Sequence, residues 1–516
     1  MNNNPYLVNH FLEHSALRAP EKTALVCDGQ RLTYARIEAM ANKMANALLD
    51  NGINPGDRVI IFLPNSVELV VSIFAILKAQ AVFAVINPTT KQDKLYFLIN
   101  NCRAKALILP ARQRQLAQNI LSGSASLKFT VFTGQNTDQA LVSSDRHLFF
   151  EDIQNSYADT LPPCGLSEQD LACLIYTSGS TGDPKGVMSG HDNVVFAASS
   201  IITYLENRPE DIILNVLPLS FDYGLYQLLM TFKFGGTLVL EKSFTFPAQI
   251  LNLMTQERVT GFPGVPIMFS ILLNMDLSSY NLGSLRYISN TAAALPPDHI
   301  RQIRDKFPGT TLYSMYGLTE TKRTLYLPPD QLDKRPDSVG IPIPGTEAWI
   351  EDESGNRLGP NQIGELIVRG SHVMRGYWEN PEATARRFRD GSGPGQRICR
   401  SGDLFRVDED GYFYFVGRMD DIIKSRGEKV APKEVEAVLY QLPDVVEAAV
   451  IGVSDTLLGQ SIKAFVVAKP GSPLTEKDVL RHCRSRLEDF MIPQIVEFRQ
   501  ALPKNPSGKI QKSALF

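Results

Sequence analysis

LIYTSGSTGDPKGVM, residues 174–188, breaks an apolar run with a dense group of small polar residues. Thr177, Ser178, Ser180 and Thr181 bring hydroxyls, Gly179 and Gly182 bring open backbone, and Lys185 brings one cation, with Gly186 directly behind it. Backbone N–H groups in such a loop can wrap phosphate oxygens because no Cβ blocks their approach. Lys185 adds a point charge, so the stretch reads as a cradle for a polyphosphate. The Walker A pattern, GxxxxGK[ST], does not fit: a glycine follows the lysine and the glycine spacing differs. Taken alone, a Ser/Gly/Thr loop also serves as a plain flexible connector.

On either side of this loop, helical patterns alternate with short β-branched runs. RLTYARIEAMANKMANALLDNG is an amphipathic helix with Gly52 as its stop. DRVIIFLPN, KALILP, FTVFTG and GGTLVL read as strands. ELVVSIFAILKAQAVFAVIN is the greasiest run, but it carries Glu68 and Lys78 and changes character near Gln80. It therefore reads as a buried helix followed by a strand, not as a membrane span. The alternation predicts an α/β fold with parallel-rich sheets. From about 340 to 416, GTEAWIEDESGNRLG, GELIVRG and DGYFYFVGR read as hairpin strands, and a small β-barrel-like part is expected there. The last hundred residues suffice for a small α+β domain with two helices.

The 516 residues fit one large and one small domain, or three domains, at about 150 residues each. A net charge of −3 and the lack of a dense Lys/Arg tract argue against a nucleic-acid or lipid surface. Six scattered cysteines form no CxxC pair and suit reduced thiols in a cytoplasmic protein. The N-terminus lacks the basic start and apolar core of a signal peptide.

YTSGSTGDPKGV resembles the signature of the adenylate-forming superfamily, which includes acyl-CoA synthetases, adenylation domains of nonribosomal peptide synthetases, and luciferases. Further stretches similar to the family's motifs follow in its order, from about residue 20 to the end: NTAAALP, SMYGLTET, GELIVRGSHVMRGYW, SGDLFR, GRMDDIIKSRGEKVAPKEVE and NPSGKIQK. The resemblance implies a large AMP-binding domain, 1–419, and a mobile C-terminal domain, 420–516, with the hinge at Asp420. It implies that the 177–185 loop holds the outer phosphates of ATP, that Ala292 and Ala293 line the adenine pocket, and that Tyr316 stacks on adenine. By the same resemblance Thr319 meets the α phosphate, Glu320 helps to hold Mg²⁺, Asp403 takes the ribose hydroxyls, and Arg418 meets phosphate. Lys509 would bridge the attacking carboxylate and the α phosphate. Rotation about the hinge would replace it with the surface carrying Lys424 and Gly427 for attack by a thiol.

The substrate is less legible. VLPLSFDYGLYQLL, 216–229, lies where the family begins its acyl pocket, and Pro266 belongs to an apolar stretch that forms another wall. Many acyl-CoA synthetases carry histidine at the place of Phe221. Phe221-Asp222 also resembles the start found in amino-acid adenylation domains, where the aspartate pairs with a substrate ammonium. Otherwise Asp222 caps a helix or faces water. Two enzyme readings stay open: an acyl-CoA ligase for a fatty or other organic acid, and a stand-alone ligase loading a proline-like amino acid onto a separate carrier protein of secondary metabolism. The acceptor is correspondingly CoA or a carrier's phosphopantetheine. A third reading is an inactive nucleotide-binding scaffold, against which the intact Lys185, Glu320, Asp403 and Lys509 argue.

Overall fold

The computed structural model describes residues 6–134, 146–178, 184–291, 295, 297–391, 393, 396–425, 428–455, 459–504 and 508–515. Two large sheets dominate. The first has nine strands, six of them neighbours in a parallel core, with antiparallel strands added at both edges. The second has seven, six parallel and one antiparallel at the edge. One continuous apolar core packs helices against strands of both sheets. Strands buried on both faces explain the continuous apolar runs that the sequence shows.

The helix Tyr34–Asp50 starts where the Thr33 hydroxyl accepts from the Arg36 N–H at 3.2 Å. It stops before Gly52, whose φ of 82° suits a residue without a Cβ. The greasy run divides as expected, into the helix Val67–Lys78 and the strand Val82–Val85. Lys78 is buried at the end of that helix, with its ammonium held by Glu13 at 2.9 Å and Glu38 at 2.7 Å. No helix among the described residues is long and apolar enough to cross a membrane.

The part expected to be barrel-like is an open antiparallel sheet of five strands, not a closed barrel among the described residues. Gly and Asn turns specify hairpins, but closing them needs a further ladder between the outer strands. The C-terminal part forms a fourth sheet, also of five strands, with the helices Pro432–Leu439 and Glu476–Arg484. It meets the third sheet at Lys433, whose ammonium donates to the Phe415 carbonyl at 3.3 Å and sits 4.8 Å from the Phe415 ring centre. All six cysteines are free thiols, and all but Cys164 are buried.

Candidate active site

Four of the side chains around the site come from one tight connection. The strands Thr311–Tyr316 and Leu325–Leu327 pair antiparallel, and residues 317–324 turn between them. A Cβ on Gly317 would overlap the Lys322 carbonyl, so the turn closes only around glycine. Lys322 itself takes φ 56°, a left-handed backbone that non-glycine residues seldom adopt. This fold-back gathers Thr319, Glu320, Lys322 and Arg323 within one turn, with Thr319 half-buried and the other three buried.

The glycine-rich loop joins two antiparallel strands, Leu171–Ser178 and Pro184–Gly190, with Thr177 opposite Lys185. The second strand continues into an irregular pairing with residues 375–378: Val187 bridges Tyr377, and the Trp378 N–H donates to the Gly186 carbonyl at 2.7 Å. The Met374 N–H in turn donates to the Glu320 carbonyl at 2.9 Å. These backbone links bring three side chains together. Lys185 lies 5.6 Å from the Tyr377 ring centre, and the Tyr377 hydroxyl donates to Glu320 Oε1 at 2.5 Å. Arg387 Nε stands 3.9 Å from the same oxygen. Burial opposes the Arg387 charge, but Glu320 foremost overcomes it and holds its pKa above the ordinary arginine value. Burial, with Glu320 second, pushes the Tyr377 hydroxyl well up, which keeps it a neutral donor.

A second group of side chains, those expected to meet the nucleoside, is built on a strand pair. Asp403, in the strand Arg397–Val407, faces Arg418, in the strand Phe413–Arg418. The Tyr316 hydroxyl donates to Asp403 Oδ2 at 2.6 Å, and Arg418 Nε lies 3.5 Å from Oδ1. Asp403 therefore does not present two equivalent acceptors to a ribose: Oδ2 already accepts from Tyr316, and Oδ1 is the oxygen without a protein hydrogen bond. Burial raises its pKa, outweighing the Tyr316 hydrogen bond and the charges of Arg418, Arg387 and Lys509. Tyr316 packs edge-on against Phe405 at 5.0 Å and lies tilted to Phe415 at 6.2 Å.

Lys509 reaches this cluster from the C-terminal part. The residue is exposed, while its ammonium end is crowded by protein, and that crowding lowers its pKa. Arg418 lowers it further, Asp403 opposes the shift, and Arg323 adds to it. A Cβ on the neighbouring Gly508 would stand 4.0 Å from Ile267, beside Pro266 at the start of the helix Pro266–Leu273. The start of the helix Pro266–Leu273 and the segment that carries Lys509 are thus adjacent.

At the other wall, Asp222 opens the helix Asp222–Phe234, with Phe221 at the N-cap, and is partly buried. Its carboxylate pairs with Lys322 Nζ at 2.8 Å, and the lysine side chain is fully buried. Asp222 and Lys322 are far apart in sequence, so the linear motif held no sign of this partner. Tyr377, Arg387, Lys322 and Arg323 are the residues that motif reading missed. Tyr377 lies in a quoted motif stretch and Lys322 and Arg323 directly follow one, but Arg387 carried no signal.

Several expected residues fall outside the described ones: Gly179, Ser180, Thr181, Gly182, Ala292, Ala293 and Gly427. Ser178 ends the strand Leu171–Ser178, Lys424 lies in the middle of the strand Ile423–Ser425 and Asp420 lies in the turn Met419–Asp421, but their side chains are outside the description. Glu320 reaches the Lys185 strand through Tyr377, and among the described residues no cluster of three or more metal-ligating side chains occurs. This donor set fits Mg²⁺, which takes one or two carboxylates and completes its shell with phosphates and water.

The AMP-binding enzyme family model matches residues 12–378, and that of the AMP-binding enzyme C-terminal domain matches 434–509. A long-chain-fatty-acid–CoA ligase of Bacillus subtilis (strain 168) is 32% identical, over 98% of this chain and 93% of its own. A feruloyl-CoA synthase of Amycolatopsis sp is 34% identical, over 96% of both chains. Among solved structures, ATP-bound MatB from Rhodopseudomonas palustris superposes with a TM-score of 0.89 at 30% identity, over 99% of this chain and 98% of its own. Two family matches in order, relatives similar along nearly the whole chain, and cations and carboxylates set where those motifs meet lead to one conclusion: the chain belongs to the AMP-binding enzyme family and is an AMP-forming acid–thiol ligase.

Proposed function

We propose that this protein activates an organic acid lacking an α-ammonium as its acyl-AMP and passes the acyl group to CoA. The observation that carries the choice of acid is the Lys322–Asp222 pair at 2.8 Å. An aspartate already neutralised by a buried lysine has no charge left to recognise a substrate ammonium. CoA as acceptor is supported by the names of the full-length relatives, a fatty-acid CoA ligase and a feruloyl-CoA synthase.

In the first half-reaction the acid's carboxylate oxygen attacks the α phosphorus of ATP. The new P–O bond forms as the bond to pyrophosphate breaks. Lys185 and the loop before it hold the outer phosphates, and Glu320, oriented by Tyr377, would hold Mg²⁺, which supplies charge neutralisation on the phosphates. Asp403 Oδ1 accepts from the ribose. Lys509 binds the attacking carboxylate and the α phosphate together, where negative charge must be tolerated during transfer. In the second half-reaction a thiol sulfur attacks the acyl carbonyl and AMP leaves. The C-terminal part turns about Asp420 to withdraw Lys509 and present the Lys424 surface.

Carboxylate-dependent ATP–pyrophosphate exchange, run beside thioester formation with CoA, tests this reading. Exchange and thioester with an acid that has no amine are expected. Exchange only with an α-amino acid would overturn the choice of acid. Exchange without any CoA thioester would overturn the acceptor in favour of a carrier-bound pantetheine.

A further inference from the structure

Arg323 is 4% exposed, yet none of its nitrogens has a hydrogen bond or ion pair among the described residues, and its Nε is fully enclosed. Its guanidinium faces an aromatic ring instead: the guanidinium carbon lies 4.6 Å from the Tyr223 ring centre. A lysine in such a place could shed its proton, but a guanidinium stays charged in proteins. A buried charge needs a counter-charge, and a ring face only partly replaces one.

Neighbouring charges do not supply it. Lys322 precedes Arg323 in the same turn, and the carboxylate at that wall, Asp222, is already engaged by Lys322. Two cations against one carboxylate leave a surplus of one positive charge. Its place is against the helix Asp222–Phe234, the stretch expected to begin the acyl pocket. Tyr223 follows Phe221 and Asp222 in the pocket-forming helix, and its hydroxyl donates to the Ser289 carbonyl at 2.7 Å. The Arg323 charge is felt by the hydroxyls of Tyr204, Tyr223 and Tyr226 and by Lys509. With Tyr223 at 4.6 Å, it lies against the aromatic wall and within electrostatic reach of the ammonium that would take the attacking carboxylate.

We propose that Arg323 is a specificity-determining residue that receives a second carboxylate of the acyl substrate, so that the preferred acid is a dicarboxylic acid. This rests on the acid-activating reading above. One carboxylate goes to Lys509 and attacks; the other pairs side-on with the guanidinium, whose fork matches a carboxylate's two oxygens. An uncharged tail in the same place leaves the guanidinium buried and alone, and is rejected for that reason.

The test is ATP–pyrophosphate exchange with short straight-chain dicarboxylic acids, each beside its monomethyl ester and the monocarboxylic acid of equal length. The wild-type enzyme is expected to favour the diacid over its monoester by about 100-fold or more in kcat/KM. In Arg323→Gln that preference should shrink to within about threefold, and in Arg323→Lys the rank order should persist. Wild-type preference for the monoester or the monocarboxylic acid overturns the inference and leaves acid activation standing. A diacid preference that survives Arg323→Gln also overturns it. No exchange with any acid overturns the acid-activating reading itself. Should the variants fail to fold, the wild-type panel alone decides.

Discussion

Replacing Asp222 by Asn separates a structural ion pair from a substrate-binding carboxylate. At 2.8 Å from Lys322 Nζ, with the lysine side chain at 0% exposure and the aspartate at 12%, the pair sits inside the protein. Direct attraction at that separation is about 6 kcal/mol at an effective dielectric of about 20. Desolvation cancels much of it, and removing one partner of such a pair typically costs about 3–5 kcal/mol because the other charge is left buried. The slight exposure of Asp222 places Asp222→Asn near the lower end, about 3 kcal/mol. With an unfolding entropy of about 2.1 cal/mol/K per residue over a large domain of roughly 420 residues, the midpoint should fall by about 3–4 °C. Adding Lys322→Met removes the stranded cation, so the double variant should regain much of the loss, and a denaturation cycle over the four proteins reports the coupling. An Asp222→Asn protein as stable as wild type that has lost exchange with an α-amino acid would refute this account and restore the ammonium reading.

The other expectations concern the reacting groups. Lys509→Ala should slow acyl-AMP formation by about 10²–10³, while thioester formation from supplied acyl-AMP stays largely intact; single-turnover assays of each half check this. Because crowding lowers the Lys509 pKa, its positive charge is lost as pH rises at values below the ordinary lysine range. The alkaline limb of adenylation should therefore lie below that range and shift upward in Lys509→Arg. Tyr377→Phe removes the donor to Glu320, which should cost about 1.5–3 kcal/mol as a hydrogen bond to a charged group and appear mainly as weaker binding of the metal–nucleotide complex. Burial raises the Asp403 pKa, so ionising it costs the free protein stability as pH climbs through that raised value. Asp403→Asn should thus be no less stable than wild type at neutral pH yet bind ATP more weakly, as thermal unfolding and nucleotide titration would show.

What the sequence disclosed depended on locality. The break at Gln80 was readable because helix and strand periodicities differ within a few residues, and Gln80 indeed takes φ 62° between the two elements. Lys185, Glu320, Asp403 and Lys509 could be singled out as candidates because each sits in a short ordered stretch. Their partners could not. Tyr377 reaches Glu320 because the strand Pro184–Gly190 carries residues 375–378 alongside it, a matter of register. The partner of Asp222 was hidden for the same reason: the short motif holds the carboxylate and not the lysine that a turn in another strand connection delivers. The barrel expectation failed differently, since turn residues announce hairpins and say nothing of whether the outermost strands meet.

Asp403 and Arg418 face each other across one strand pair, and Arg418 directly precedes the short turn Met419–Asp421 that leads into the C-terminal part. Phe415, three residues earlier, touches Tyr316 on one side and Lys433 on the other. If a nucleotide sits on Asp403 and the C-terminal part turns as proposed, the ligand would load the very strand pair from which that part hangs. It would then belong to the bearing: arrival would stiffen the pivot and departure as AMP would slacken it, with no separate relay to mark the stage of the cycle.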